Sequence, residues 1–393
     1  MPRKDSPGLR HWVSSIEAVM SDDIAANRIL AALLEGIAGF YGTAVRMRVA
    51  MFRHRRGMSH RLPCKVVSVG NIVLGGTGKT PMSIYTARLI RRAGYRVVVL
   101  SRGYKGGAER KGGVVSDGQA LQMTPSVAGD EPYLMARRLL PFGIPVMVGR
   151  DRVRSGGLAV RQFGAEVIVL DDGFQHLRLQ RDLDIVLLDA LKPFGNGHLF
   201  PRGTLREPLS SLARADTCLL TRCPRAIIEK GVGHKFTNDH GVGADHLERP
   251  LFAAAHTPFI AECLTAANPE SGSTGCRMKA APARPVYAFS GLARNDTFQT
   301  TLHEMGFNLR GSECFGDHHR YTRKDLHSIA RRADRLGARW MVTTEKDRVK
   351  IDGAWIGKIP LLVIGVRMDL GPQASAFERF VTGRLNPPYR RIL

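Results

Sequence analysis

Apolar residues recur along most of the chain in short continuous runs, and segments with helical spacing separate them. Runs 97–100 and 167–170 are apolar throughout, which is typical of parallel strands buried on both faces. Between residues 65 and 225 we predict six strands, at 65–70, 96–100, 145–148, 166–170, 183–188 and 217–220. Strands alternating with helices predict a doubly wound, mostly parallel α/β sheet with its ligand site at the carboxyl ends of the strands.

A second, shorter set of α/β signals begins near residue 285. Strands are predicted at 286–289, 340–343 and 361–364, and helices at 295–305 and 323–336. Residues 265–283 are rich in Ala, Gly, Ser and Pro, which predicts a linker or an exposed loop. We therefore expect four regions: an N-terminal region at 1–57, a larger α/β domain at 58–225, a loop-rich connection at 226–284 and a smaller α/β domain at 285–393.

Residues 29–45 form an apolar run that only Glu35 interrupts, and an arginine-rich segment follows it. The run is shorter than the roughly 20 residues needed to cross a bilayer. No Asp or Glu occurs between Gly36 and Lys65. An apolar helix followed by arginines suits the surface of an anionic membrane, so we predict an interfacial helix. A buried core helix and a true membrane span are the alternatives.

The charge of the chain limits its partners. Its 58 Lys+Arg exceed its 35 Asp+Glu and give a net charge of +23, which favours anionic partners such as nucleotides, phospholipids or phosphorylated substrates. No nucleic-acid-binding motif stands out, so nucleic acid is the least supported partner. The six cysteines include no C-x-x-C pair, and the first 28 residues do not resemble a cleavable signal. We therefore expect reduced thiols, no zinc site and a cytoplasmic location.

A glycine-rich loop is the most informative motif of the chain. It follows the predicted strand at 65–70, precedes a segment with helical spacing, and consists of Gly75, Gly76, Thr77, Gly78, Lys79 and Thr80. Glycines allow backbone amides to turn around phosphate oxygens, Lys79 can reach the terminal phosphates, and Thr80 can ligate Mg²⁺. Val73 stands where the strict pattern has a glycine. We predict a nucleotide phosphate site; a glycine turn without a ligand is the alternative.

Two acidic residues follow the predicted strand at 166–170. Asp171 and Asp172 lie in the position of a carboxylate that holds Mg²⁺ beside a phosphate loop, directly or through water. A strand-end aspartate that only caps a turn is the alternative. Two aspartates in succession, expected close in the fold to a Gly-Lys-Thr loop, favour the metal-binding interpretation.

Three further ionisable residues are candidates for proton transfer. Asp130 precedes Glu131-Pro132 and a helical stretch, and the sequence leaves open whether it is a helix cap or a catalytic group. His318 and His319 are adjacent but lack partners at metal-binding spacing, so zinc is not expected. A loop histidine is more often a surface residue than a catalyst.

Several loops that follow strands are basic or rich in glycine, at 101–106, 149–152 and 195–208. Arginine suits phosphate because its planar donors bond in pairs. In the second predicted domain, residues 343–348 also follow an apolar strand. The pattern predicts only that they lie near the ligand cleft, and it gives them no further role.

Taken together, these motifs resemble the tetraacyldisaccharide 4'-kinase family of the lipid A (lipopolysaccharide) pathway. The motifs occur in the family's order, at 69–72, 75–81, 101–104, 129–132, 170–176, 205–208, 289–292, 315–318 and 344–347. The loop's departure from the strict spacing also matches the family's own form. Residues 1–28, 228–250 and 265–283 match nothing in it.

The resemblance implies a two-domain P-loop kinase that uses ATP and Mg²⁺ and docks through its N-terminal helix on the cytoplasmic face of the inner membrane. Its acceptor would be the 4'-hydroxyl of a tetraacyl glucosamine disaccharide 1-phosphate. It places the nucleotide and metal at Gly75 to Thr80, Asp171, Asp172 and Glu207, and pairs Asp130, the expected base, with His318 or else His319. The alternatives are a membrane-associated P-loop ATPase and a non-catalytic nucleotide-binding scaffold.

Overall fold

The chain folds around two β-sheets. The computed structural model describes residues 28–54, 58–230, 249–267, 285–291, 295–316 and 319–386. The larger sheet has eight strands: β1 (Lys65–Asn71), β2 (Val97–Ser101), β3 (Gly113–Ser116), β4 (Val146–Val148), β5 (Val167–Asp171), β6 (Leu183–Asp189), β7 (Thr217–Thr221) and β8 (Leu251–Ala253). Their spatial order is β3-β4-β2-β5-β1-β6-β7-β8, and all neighbours are parallel except β3 and β4.

Helices cover both faces of the larger sheet. In chain order they are α1 (Arg28–His54), α2 (Lys79–Arg92), α3 (Pro125–Ala128), α4 (Asp130–Leu139), α5 (Arg152–Phe163) and α6 (Arg225–Lys230). Successive strand residues point to opposite faces. Val67 packs in one apolar cluster with side chains of α2 and α4, whereas its neighbour Val66 packs in another with Ala159 of α5. This two-sided burial explains why the central strands are apolar throughout.

The smaller sheet has five strands and its own helices. The strands are β9 (Ala255–Leu264), β10 (Pro285–Ser290), β11 (Asn308–Cys314), β12 (Trp340–Thr344) and β13 (Leu361–Asp369). Their order is β11-β10-β12-β13-β9, and only β9 is antiparallel to its neighbour. The remaining helices are α7 (Asn295–Glu304), α8 (Arg323–Arg335), α9 (Glu345–Arg348) and α10 (Ala374–Leu385). Thr322 and Asp325 form a capping box that fixes the start of α8.

Two chain segments join the sheets. Ala254 alone separates β8 of the larger sheet from β9 of the smaller one. After β13 the chain returns, and α10 buries Phe377, Val381 and Leu385 completely in the core of the larger sheet. The described residues of the C-terminal segment therefore pack on both sheets. The region boundaries at 57, 225 and 284 stay predictions.

The fold class predicted from the sequence is confirmed. Every predicted strand is present, and each predicted end of a strand lies within one residue of the observed end, except that β13 extends to Asp369. The two helices predicted in the second domain are present as α7 and α8. The predicted N-terminal helix is also present and is longer than expected, at 27 residues. The prediction missed four strands, β3, β8, β9 and β11. Most of the loop predicted at 265–283 lies outside the described residues.

Candidate active site

The glycine loop lies between β1 and α2, as predicted. Gly75 and Gly78 have φ of 108° and 83°, a region that glycine enters without strain. A Cβ added at Gly75 or Gly76 would meet nothing within 4 Å, so one side of the loop is open. Asn71 donates to Thr77 Oγ1 at 2.9 Å and anchors the loop to the end of β1. The loop therefore has the room and the backbone form that a phosphate group needs.

The start of α2 follows the glycine loop directly. Within the described residues no side chain caps this helix and its first turn carries no acid, so its amide dipoles are not neutralised locally. Lys79 lies at the first helical position, 3.4 Å from Gly75 O and 3.7 Å from Asp172 Oδ1. Burial lowers the pKa of Lys79, and Asp172 opposes that effect. Amides and ammonium together form a site for an anion.

The two aspartates after β5 lie in different environments. Asp171 is 4% exposed and accepts hydrogen bonds from Ser83 Oγ at 2.9 Å and Ser101 Oγ at 3.2 Å. Burial, followed by Glu131 and Asp172, raises the pKa of Asp171 to about 6. Ser101 begins the loop predicted at 101–106, whereas the sequence did not indicate Ser83, which lies on α2.

Asp172 instead faces cations. Its backbone has φ of 51°, and Arg206 Nη1 binds both carboxylate oxygens at 3.0 Å. Burial alone raises its pKa, but Lys79 and Arg206 outweigh burial and hold the pKa below its ordinary value. A third cation, Arg152, is buried near both aspartates, and burial lowers the pKa of Arg152 to about 10. The aspartates that the sequence predicted are thus placed beside the phosphate loop.

Glu207 lies on the neighbouring segment that carries Arg206. It is 4% exposed, and Arg214 Nη2 donates to its Oε2 at 2.7 Å. Tyr41 of α1 donates to the carbonyl oxygen of Arg206 at 2.8 Å. The N-terminal helix therefore contacts the segment that binds Asp172, a link that the sequence did not indicate.

Asp130 begins α4, and Gly129 occupies the N-cap position with φ of 92°. Because a glycine caps the helix, the cap interpretation of Asp130 is wrong. The next residue, Glu131, pairs with Lys346 of α9 at 2.5 Å. Burial alone raises the pKa of Glu131, but Lys346 and, less strongly, Lys79 outweigh it and lower that pKa. The start of α4 therefore lies within electrostatic reach of the phosphate loop.

The structure describes only one of the two histidines that the sequence analysis proposed. His318 lies outside the described residues. His319 stacks on Phe315 with ring centroids 4.6 Å apart, and its Nε2 lies 3.3 Å from Asp325 Oδ2. His319 thus contacts groups of its own domain.

The donor set suits Mg²⁺ better than zinc. Over the residues that the structure describes, no group of three or more His, Cys, Asp or Glu side chains is close enough to hold a metal alone. Mg²⁺ keeps several waters and takes phosphate oxygens, so one or two protein carboxylates suffice. Buried oxygens at Asp171 beside an open phosphate loop fit that chemistry. The individual ligands Thr80, Asp171, Asp172 and Glu207 stay predictions.

The site defines a nucleotide-binding α/β protein of the P-loop type. It combines a parallel strand, an open glycine loop with a lysine, a helix N-terminus and aspartates at the end of a strand. Comparison with known proteins makes the class narrower. A family model described as LpxK, tetraacyldisaccharide-1-P 4'-kinase, matches residues 30–386. The chain belongs to this family.

Individual relatives agree. A tetraacyldisaccharide 4'-kinase of Desulfatibacillum aliphaticivorans is 37% identical over 94% of this chain and 97% of its own length. One from Syntrophus aciditrophicus is 39% identical over 89% of this chain and 92% of its own length. The crystal structure of LpxK from Aquifex aeolicus in complex with ATP has a TM-score of 0.69 at 28% identity, over 91% of this chain and 99% of that one.

These comparisons confirm the family predicted from the motifs and the phosphotransferase class with an alcohol acceptor, and the solved relative holds ATP, the predicted nucleotide. Mg²⁺ is the usual partner of ATP in such a kinase. The comparisons disfavour the ATPase and scaffold alternatives, because the relatives that match nearly the whole chain are named as kinases. The site residues themselves stay predictions.

Proposed function

We propose that this protein transfers the γ-phosphoryl group of ATP to the 4'-hydroxyl of a tetraacyl disaccharide 1-phosphate at a membrane surface. The proposal is supported by the position of α4: Glu131, next to Asp130 in its first turn, interacts electrostatically with Lys79 of the phosphate loop. A carboxylate next to a phosphate site can act on an acceptor hydroxyl. An ATPase or a scaffold has no need of one aimed at a sugar.

Positioning and charge neutralisation supply most of the catalysis in phosphoryl transfer. We assign the phosphate oxygens to the amides of Gly75 to Thr80 and to Lys79. Arg206 and Arg152 add positive charge near Asp172 and Asp171. When bound, Mg²⁺ would neutralise charge on the β- and γ-phosphates, and we assign it to Thr80, Asp171, Asp172 and Glu207.

Asp130 is our candidate for the general base. A carboxylate can accept the proton of the acceptor hydroxyl as its bond to phosphorus forms, which contributes on the order of 10²–10⁴ in rate. We assign His318 as the partner that orients Asp130 or shares its proton. His319, which already contacts Asp325, is the alternative.

The N-terminal helix supports a membrane location. Its exposed side carries Ile29, Leu33, Ile37 and Phe40, which are 54–80% exposed. Its opposite side contacts the protein at Gly42, where an added Cβ would lie 2.6 Å from Leu199 Cδ1, and at Tyr41. A helix with one side on the protein and an apolar side in solvent suits an interfacial position better than a span, although the length and hydropathy of α1 suffice for a span.

The substrate explains why such a helix is useful. A four-chain lipid stays in the bilayer, because each buried CH₂ contributes about 0.8 kcal/mol. The enzyme must therefore work at the surface. The hydrogen bond from Tyr41 to Arg206 connects α1 directly with the segment that binds Asp172. We propose the cytoplasmic face of the inner membrane as the location, since the nucleotide is cytoplasmic.

The test is transfer of label from ATP to lipid. Purified protein, Mg²⁺ and γ-labelled ATP are incubated in detergent with and without the tetraacyl disaccharide 1-phosphate. We expect label in the lipid and acceptor-dependent ATP consumption, both abolished by Lys79→Ala and retained by Lys111→Ala, an exposed lysine of the same domain. ATP consumption that ignores the acceptor would favour an ATPase, and absence of consumption a scaffold.

A further inference from the structure

A fully buried carboxylate organises the second domain where it faces α4. Asp347 has 0% exposure. Its Oδ2 accepts hydrogen bonds from Gly291 N at 3.1 Å and from Thr344 Oγ1 at 2.8 Å. A Cβ at Gly291 would lie 3.0 Å from Asp347 Oδ1 and 3.1 Å from Gly316 O, so this carboxylate packs tightly against two loops. Such a charge is costly to bury unless cations and donors surround it.

The cation that neutralises Asp347 is Lys350. The Lys350 side chain is 8% exposed, and its Nζ lies 3.0 Å from Asp347 Oδ1. The same Nζ lies 4.0 Å from Asp130 Oδ2 on the first domain. Lys350 therefore stands between a fixed acid of one domain and the candidate base of the other.

Geometry distinguishes Lys350 from Lys346, whose ion pair with Glu131 also joins the domains at the start of α4. Lys346 and Glu131 are each more than 40% exposed, so solvent can replace either partner. Lys350 has no such freedom, because Asp347 and the ring of Tyr321, 5.7 Å from its Nζ, hold its ammonium in place. An ammonium held in this way restricts the orientations of the carboxylate it faces.

We propose that Lys350 is a positioning residue that orients Asp130 toward the acceptor hydroxyl and makes this orientation depend on contact between the two domains. The proposal rests on the proposed function, in which Asp130 is the base. In this role Lys350 acts through Asp130 and not through the nucleotide. Its loss should therefore lower kcat and leave nucleotide binding unchanged.

The experiment compares Lys350→Met with Lys324→Met, the same change at an exposed lysine of the same domain. We expect Lys350→Met to lower kcat about 10- to 100-fold, with the KM and Kd for ATP within about twofold of the wild type. Lys350→Arg keeps the charge and should recover part of the loss. Lys324→Met should behave as the wild type.

A double-mutant cycle separates positioning from a general structural role. If Lys350 acts through Asp130, Lys350→Met should lower the residual activity of Asp130→Asn no further. A loss in kcat that persists undiminished in the Asp130→Asn background would overturn the proposal. So would a kcat for Lys350→Met equal to that of Lys324→Met. If Lys350→Met does not fold, Lys350→Gln, which also removes the charge, takes its place in the cycle with the same two criteria.

Failure of the underlying function gives a different result. In that case the wild-type protein would not phosphorylate the lipid, or Asp130→Asn would keep full activity. If only the present proposal fails, the wild type is active and Asp130→Asn is impaired. Lys350→Met then either has wild-type activity or loses activity to the same extent with and without Asp130→Asn.

Discussion

The two adjacent aspartates of the site should respond oppositely to loss of their charge. The pKa of Asp171 is raised from 3.8 to about 6, so the folded state binds its proton more tightly than the unfolded state does. Stability from this shift is present below pH 3.8 and is lost as pH rises through 6. At pH 8 the ionised Asp171 therefore costs the folded state about 3 kcal/mol, at 1.36 kcal/mol for each unit.

Asp171→Asn removes that charge at nearly constant shape. The amide leaves one of the two serine hydrogen bonds to be rearranged, at a cost of about 1 kcal/mol. We therefore expect Asp171→Asn to raise the free energy of unfolding by about 1–2 kcal/mol at pH 8. The gain should vanish near pH 4, where the wild-type carboxyl is already neutral. Turnover should fall about 10²-fold or more, because the carboxylate is a proposed Mg²⁺ ligand.

Asp172→Asn is the control, for which we expect the opposite change in the free energy of unfolding. Its pKa lies below the ordinary value, because Lys79 and Arg206 outweigh burial, so its charge stabilises the fold above its pKa. The asparagine variant should be less stable than the wild type at pH 8 and should approach it as pH falls. Urea unfolding at pH 8 and pH 4, without ATP and Mg²⁺, measures both variants. Destabilisation by Asp171→Asn at pH 8, or changes of the same sign in both variants, would refute the electrostatic reasoning.

Other parts of the structure give further predictions. Phe40→Glu places a charge at a site that is 80% exposed, so we expect weaker flotation with anionic vesicles and an unchanged melting temperature. Glu262→Gln leaves Arg137 and Arg348 without their shared acid, and urea unfolding should show a loss of about 3 kcal/mol. Burial lowers the pKa of His256 to about 4, so stability should decline as pH falls from 6.5 to 4, and His256→Gln should reduce that slope in denaturation curves.

The strands that the sequence predicted are those buried on both faces. β5 has five buried residues in succession, and such a run is recognisable without any knowledge of its neighbours. β11 was missed because it is an edge strand that alternates between exposed and half-exposed positions. β9 contains Pro258, which lacks an amide donor and argues against a strand, but β9 also lies at an edge. β3 and β8 are only four and three residues long.

The site was predictable where its parts are local in sequence. The glycine loop and Asp171 each follow an apolar strand directly, so a short stretch of sequence contains both the strand and the residue. Lys350 lies 220 positions from Asp130 in the chain, and no sequence pattern around either residue predicts contact with the other. Ser83 was missed for a related reason, and the basic loop at 149–152 was predicted without its partner: Ser83 and Arg152 each lie near an aspartate only because helices on opposite faces of the sheet converge at its edge.

Helix α4 connects these long-range contacts with the chemistry. Its first residue is the candidate base. Its later arginines pair with the second domain, Arg137 with Glu262 of β9 at 2.9 Å and Arg138 with Glu345 of α9 at 2.9 Å. The Glu262 and Glu345 side chains are each 11% exposed, so the pairs are largely shielded from solvent and screening. Breaking the contact between the domains would leave these charges to be resolvated and would also remove Lys350 from Asp130. Contact between the domains and orientation of the base are therefore expected to occur together.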